Sequence, residues 1–138
     1  MSADELRAFL DHYVLCLNKR SIDELAVIIA DELTHNGQIM TRQQWWEGPV
    51  GQHLAAVPDQ TWTIEDVVIA GNRIAVRYED SGTPTGRWIG LEPTGARIRF
   101  REYAFYTVSG GLITDVWSVF DSETVRRQLS PDLPASTM

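Results

Sequence analysis

Gly82-Thr83-Pro84-Thr85-Gly86-Arg87-Trp88-Ile89-Gly90-Leu91-Glu92-Pro93-Thr94-Gly95 reads as a glycine-punctuated crossover, and what flanks it decides the fold. After it, Ile98, Phe100, Glu102, Ala104 and Tyr106 alternate with Arg97, Arg99, Arg101, Tyr103 and Phe105, the period of two of a strand. Gly110-Gly111 supplies a two-residue turn, and Leu112 to Phe120 forms the returning strand. That strand ends Val116-Trp117-Ser118-Val119-Phe120-Asp121, with Gln128-Leu129 soon after. A carboxylate therefore stands where the last strand stops.

Upstream of the crossover, Trp62, Ile64, Asp66 and Val68 alternate with Thr63, Glu65 and Val67. Gly71-Asn72 turns the chain, and Ile74, Val76 and Tyr78 continue the same period. The first half has a different rhythm. Leu6, Phe9, Leu10, Tyr13, Val14 and Leu17 fall on one helical face. Ser2 with Glu5, Ser21 with Glu24 and Thr41 with Gln44 are capping boxes that predict three helix starts. Pro49 and Gly51 predict that the third helix is broken or restarted. Helices first and an antiparallel sheet afterwards is the segregation of an α+β fold.

The chain has 138 residues, enough for one domain, which we place at residues 1–130 with a flexible tail at 131–138. Lys plus Arg number 12 against 19 Asp plus Glu, a net charge of −7. This acidic balance, with no run of like charge, argues against a nucleic-acid or anionic-membrane partner. No apolar run approaches the ~20 residues of a membrane span. The single Cys16 and the absence of a basic or apolar leader after Met1 fit a cytoplasmic protein. Five Trp, four Tyr and four Phe can fill a core or line a pocket for a flat ligand. Three scattered histidines and one cysteine give no metal-ligand spacing, and no glycine-rich phosphate loop precedes a helix.

The order of these features resembles that of the SnoaL-like polyketide cyclases of the nuclear transport factor 2-like superfamily. The resemblance rests on Gly82-Thr83, Pro93-Thr94-Gly95, Trp117 four residues before Asp121, His35-Asn36-Gly37 and Pro58-Asp59. It implies a cone-shaped α+β barrel in which helices and a curved, mostly antiparallel sheet enclose a cavity. It also implies a cofactor-independent ring closure of a polyketide or polycyclic intermediate, and a homodimer formed through the outer sheet face. By the resemblance Asp121 is the general acid/base. Where some members place a histidine near that aspartate, this chain has none after His53; Tyr103 and Tyr106 occupy the region.

The residues themselves leave two readings of Asp121 open. With a two-residue turn, Phe100 opposes Asp121 and Glu102 opposes Val119, so Glu102 and Asp121 become diagonal neighbours on one apolar face. A carboxylate there must be paired or raised in pKa, which suits acid/base work. A register shifted by one would instead set Arg99 against Asp121. The alternative within the same fold is an isomerase, dehydratase or epoxide-opening enzyme using Asp121 with Glu102 or Arg99. Asp121 also directly precedes Ser122-Glu123-Thr124, a helix start. Capping that helix would lower its pKa and leave a non-catalytic binding module. His35 and Asn36 are candidate substrate contacts, with Asn36 able to donate to an enolate oxygen. Tyr13, Trp45, Trp46, Tyr106 and Trp117 are the candidate aromatic lining. His53 and His12 read as solvated. The outer arginine-rich face with Tyr103 and Phe105 is the candidate dimer surface.

Overall fold

The computed structural model describes residues 1–130, so the expected tail at 131–138 lies outside the described residues. The chain opens with α1 (Ala3–Lys19) and α2 (Ile22–Ile28), followed by the hairpin β1 (Ile29–His35) and β2 (Gln38–Thr41). Then come α3 (Arg42–Trp45), a π-helical turn (Trp46–Val50) and α4 (Gly51–Ala56). Four long elements, β3 (Thr61–Ala70), β4 (Arg73–Gly82), β5 (Ile98–Ser109) and β6 (Leu112–Phe120), precede α5 (Ser122–Leu129). The strands form one sheet in the order β2-β1-β6-β5-β4-β3. All pairings are antiparallel except β1 with β6, so this is the expected α+β fold with helices packed on a curved sheet.

Local signals explain most of these elements. The capping boxes Ser2/Glu5 and Thr41/Gln44 are both formed. Ser21, by contrast, makes no side-chain cap bond. Pro49 lies within the π-helical turn; lacking an N–H, it cannot join a regular helical ladder. The expected apolar stripe of α1 is the buried one: Leu6, Leu10, Tyr13, Val14 and Leu17 are all at most 6% exposed. Burial of each such side chain contributes about 1.5–3 kcal/mol. Arg20 ends α1 in the left-handed region and ties that end down, donating to Leu17 O, Asn18 O, Pro58 O and Gln60 O. Its guanidinium also stacks over Trp62, 5.6 Å from the ring centre.

Two bulges correct the simple strand alternation. In β3 the register slips between Ile64 and Asp66, so Val67 and Ile69 turn inward while Val68 and Asp66 face out. In the β5–β6 hairpin, Gly110 and Gly111 both take positive φ and make the two-residue turn, with Ser109 opposite Leu112. Between Val108–Ile113 and Thr107–Asp115 the ladder then gains one residue, Thr114. Every later pair is displaced by one: Glu102 opposes Phe120, not Val119, and the N–H of Asp121 bonds to Arg101 O. The register inferred from the turn alone is therefore wrong beyond Thr107.

Candidate active site

The cavity of the cone holds ≈ 250 Å³ between α1, α4 and the inner face of the sheet. Tyr13 from α1, His35 from β1, Trp45, His53 from α4, Trp62 from β3, and Glu102 and Tyr106 from β5 all line it. β6 adds Val116, Ser118 and Phe120, the residues its bulge turns inward. No arginine or lysine is among the lining residues.

Glu102 is the carboxylate of this cavity. Alternation on β5 places it between Phe100 and Ala104 on the buried face. Trp62 Nε1 donates to its Oε1 at 3.1 Å. Tyr78 faces it across the β4–β5 ladder, and Asp80 lies two residues further along the same face of β4. This is the diagonal relationship, roughly 7–8 Å at the backbone, that acidic side chains readily bridge. Asp80 is 0% exposed, and neither of its carboxyl oxygens has a hydrogen-bond donor among the described residues. Burial, then the adjoining Glu102, drives its pKa far above the carboxylate range, with Gln60 pulling weakly the other way. Both influences favour the protonated form of Asp80.

A tyrosine network lies alongside. Tyr78 Oη and Tyr106 Oη are 2.9 Å apart, and Tyr13 meets the Tyr106 ring edge-on at 5.2 Å. Burial raises the pKa of all three hydroxyls, which therefore stay protonated and available as donors. Burial lowers the pKa of His35, against a smaller opposing pull from Glu102, and so favours the neutral imidazole. His53, expected to be solvated, instead sits in a box of Trp62, Trp88, Phe100 and Phe120, with ring centres 5.3–6.4 Å away. Its Nε2 is buried without a partner.

Several expected site residues lie elsewhere. Asp121 is the N-cap of α5: its carboxylate accepts from Thr124 N at 3.1 Å and Thr124 Oγ1 at 2.6 Å. Those bonds lower its pKa, and it is not among the residues lining the cavity. The bulge at Thr114 is the cause, because it gives Asp121 the outward parity and separates it from Glu102. Arg99 does not face Asp121 either; it pairs with Glu79 at 3.8 Å while its backbone is held by Gln128. Trp117 is 47% exposed on the outer face, turned there by the same bulge. Trp46 lines a surface depression with Asp23 and Glu47, and its neighbour Trp45, 2% exposed, takes the cavity position. Asn36 touches the cavity rim, but its amide is spent on the backbone of Ser118, donating to O at 3.2 Å and accepting from N at 2.8 Å. Tyr13, His35, Trp45, Glu102 and Tyr106 are the expected residues that the fold does bring together, with Asn36 at the rim.

Asp80, Gln60 and His53 were missed. For Asp80 a signal existed, because the buried alternation Ile74, Val76, Tyr78 continues to it. Gln60 and His53 carry none, since their burial depends on how the loop before β3 and α4 pack.

The sequence matches the SnoaL-like polyketide cyclases over residues 7–129. The chain belongs to that family. Its fold is similar to a SnoaL-like polyketide cyclase from Agrobacterium tumefaciens, with a TM-score of 0.84 and 30% identity over 91% of this chain and 98% of that one. IdmH, a proposed polyketide cyclase from Streptomyces antibioticus, superposes with a TM-score of 0.79 at 24% identity, over 89% of this chain and 96% of that one. AclR, a proposed hydroxylase from Streptomyces galilaeus, gives 0.80 at 20% identity over 96% and 87%. These last two share the fold alone. No curated protein sequence matches the chain.

Proposed function

We propose that the protein is a cofactor-independent cyclase acting on a neutral polyketide-type carbonyl compound, with Glu102 as its general acid/base. The observation that carries this is the position of Glu102: a lone lining carboxylate, oriented by Trp62, in a cavity walled by aromatic rings. The Asp121 mechanism suggested by the family resemblance is replaced, because a cap with a lowered pKa outside the cavity is a poor base.

In this reading Glu102 removes a proton from a carbon flanked by two carbonyls. The resulting enolate is held by donors from neutral His35 and the tyrosine hydroxyls. It attacks an internal carbonyl, forming the new C–C bond, and protonated Glu102 returns its proton to the alkoxide. The aromatic walls contribute by folding the substrate into a reactive conformation. With no cation in the lining, an anionic group is disfavoured at the buried end. At ≈ 250 Å³ the cavity suits one or two rings, with the rest of a larger substrate leaving through the mouth.

We extend the proposal to assembly and location. The outer face carries Tyr103, Phe105, Trp117 and Val119, between 46% and 67% exposed, beside ion pairs of Glu65 with Arg77 and Arg101. An apolar stripe with a charged border supports a homodimer through this face. The single buried Cys16 supports a reducing compartment.

The deciding experiment uses the enolisation half-reaction, which needs no knowledge of the full substrate. Methyl benzoylacetate, an aryl β-keto ester, exchanges its central protons in deuterated buffer, and NMR follows the rate. Wild-type protein is expected to accelerate exchange, and Glu102→Gln to abolish the acceleration. Equal rates for the two proteins would remove Glu102 from the mechanism.

A further inference from the structure

Asp80 lies behind the cavity, not in it, and the mechanism above leaves it unused. It is wholly buried, its two carboxyl oxygens lack a donor among the described residues, and it sits diagonal to Glu102 on the same inner face. Gln60, 1% exposed and likewise without a side-chain partner, is close enough to act on Asp80 electrostatically. A buried acid that merely filled space would be replaced at no loss by an apolar residue, since burying an unpaired polar group is unfavourable. Here the neighbour that accounts for it is Glu102.

We propose that Asp80 is the positioning residue for Glu102: it keeps its proton and donates it as a hydrogen bond to the Glu102 carboxylate, so that the resting pair carries one proton. Trp62 N–H fixes Glu102 from the β3 side and Asp80 O–H from the β4 side. The catalytic carboxylate is thereby held by two donors in one rotamer. When Glu102 takes up the substrate proton, Asp80 stays neutral, and the pair never bears two charges. The titratable groups facing the pair are Tyr78 on its own strand, Tyr106 on β5, Tyr13 on α1, His35 on β1 and His53 on α4. None of these is a lysine or arginine able to stabilise a second carboxylate charge. Desolvation and the Glu102 charge both favour the protonated form of Asp80.

This inference rests on Glu102 as the acid/base for its catalytic meaning, but the shared proton is a property of the resting protein and is tested there first. An unfolded aspartate ionises near pH 4, so folding takes up one proton at neutral pH and stability falls as pH rises. Wild-type protein is expected to lose a further tenfold in its folding equilibrium per pH unit, from about pH 5 to about pH 8, relative to Asp80→Asn. Near neutral pH the infrared spectrum of wild-type protein should contain a carboxylic-acid C=O band. That band should vanish in Asp80→Asn and shift in Glu102→Gln, which replaces its hydrogen-bond partner. Parallel pH slopes, or a band indifferent to Glu102→Gln, would overturn the proposal whether or not Glu102 is catalytic.

The positioning role is then read from methyl benzoylacetate exchange. Asp80→Asn keeps an N–H donor and should retain the rate within about tenfold, with its pH profile displaced. Asp80→Leu removes the donor and should lose far more. Equal rates for Asn and Leu, with the pH profile unmoved in both, would reduce Asp80 to a packing residue. The resting-state spectrum of wild-type protein still decides the shared proton if Asp80→Leu does not fold.

Discussion

Trp62 Nε1 donates to Glu102 Oε1 at 3.1 Å, joining β3 to β5 across the intervening strand β4. Both side chains point to the inner face, where Trp62 stands opposite Asp80 and Glu102 opposite Tyr78 on β4. Trp62→Phe keeps most of the packing and removes only this donor. It should cost about 1–3 kcal/mol of stability and lower the exchange rate without abolishing it. Urea denaturation and methyl benzoylacetate exchange measure the two effects; an unchanged exchange rate would mean that Trp62 does not orient Glu102.

Asp121 gives the opposite expectation. Asp121→Ala removes the α5 cap and should cost about 1 kcal/mol, while Asp121→Asn should cost less. Neither should slow exchange by more than about twofold. The folded pKa of Asp121 is below its unfolded value, so its contribution is present above about pH 4 and is lost as pH falls further. Acid unfolding should accordingly be less steep in Asp121→Asn. A large loss of exchange in that variant would return the acid/base role to the end of β6.

The hydroxyl pair Tyr78–Tyr106 is buried, and removing one member strands the other. Tyr106→Phe should therefore destabilise by about 1–3 kcal/mol even though it deletes a single oxygen. The double variant Tyr78→Phe with Tyr106→Phe should be closer to wild type than the sum of the singles. A double-mutant cycle on thermal or urea unfolding checks this.

Gly82 ends β4 against the loop that carries Gln60. A Cβ there would overlap Val57 Cγ1 and stand 3.3 Å from Gln60 Cα. Gly82→Ala should cost about 1–3 kcal/mol through overpacking, measured by urea denaturation. Gly90, further along the crossover and with nothing within 4 Å of its would-be Cβ, takes positive φ and is limited by its backbone alone.

The outer face makes the last prediction. Trp117→Glu combined with Phe105→Lys places charges on the apolar stripe and should convert a dimer to a monomer by light scattering; neither residue lines the cavity. A monomeric wild type would dispose of the dimer proposal.

Reading the strands by alternation correctly placed Ile98, Phe100, Glu102, Ala104 and Tyr106 inside, and the helical stripe of α1 was equally legible. Both follow from local periodicity, which the chain cannot hide. The separation of Asp121 from Glu102 was not legible. It depends on Thr114, and a bulge is an event of the ladder between two strands, with no residue type that announces it. Trp117 and Asp121 failed together because one inserted residue reverses every side chain after it.

By itself, then, the sequence determined the α+β order, the capped helices, the two-glycine turn and the acid on the inner face of β5. Each is written in spacing that a dozen neighbouring residues enforce. Only the tertiary structure decided which acids meet. Glu102 finds Asp80 because β4 and β5 pair in a particular register, and the complete burial of Asp80 beside it is what favours the proton there. Spacing fixes which way a side chain points; the electrostatics of a site depend on everything that packs over it.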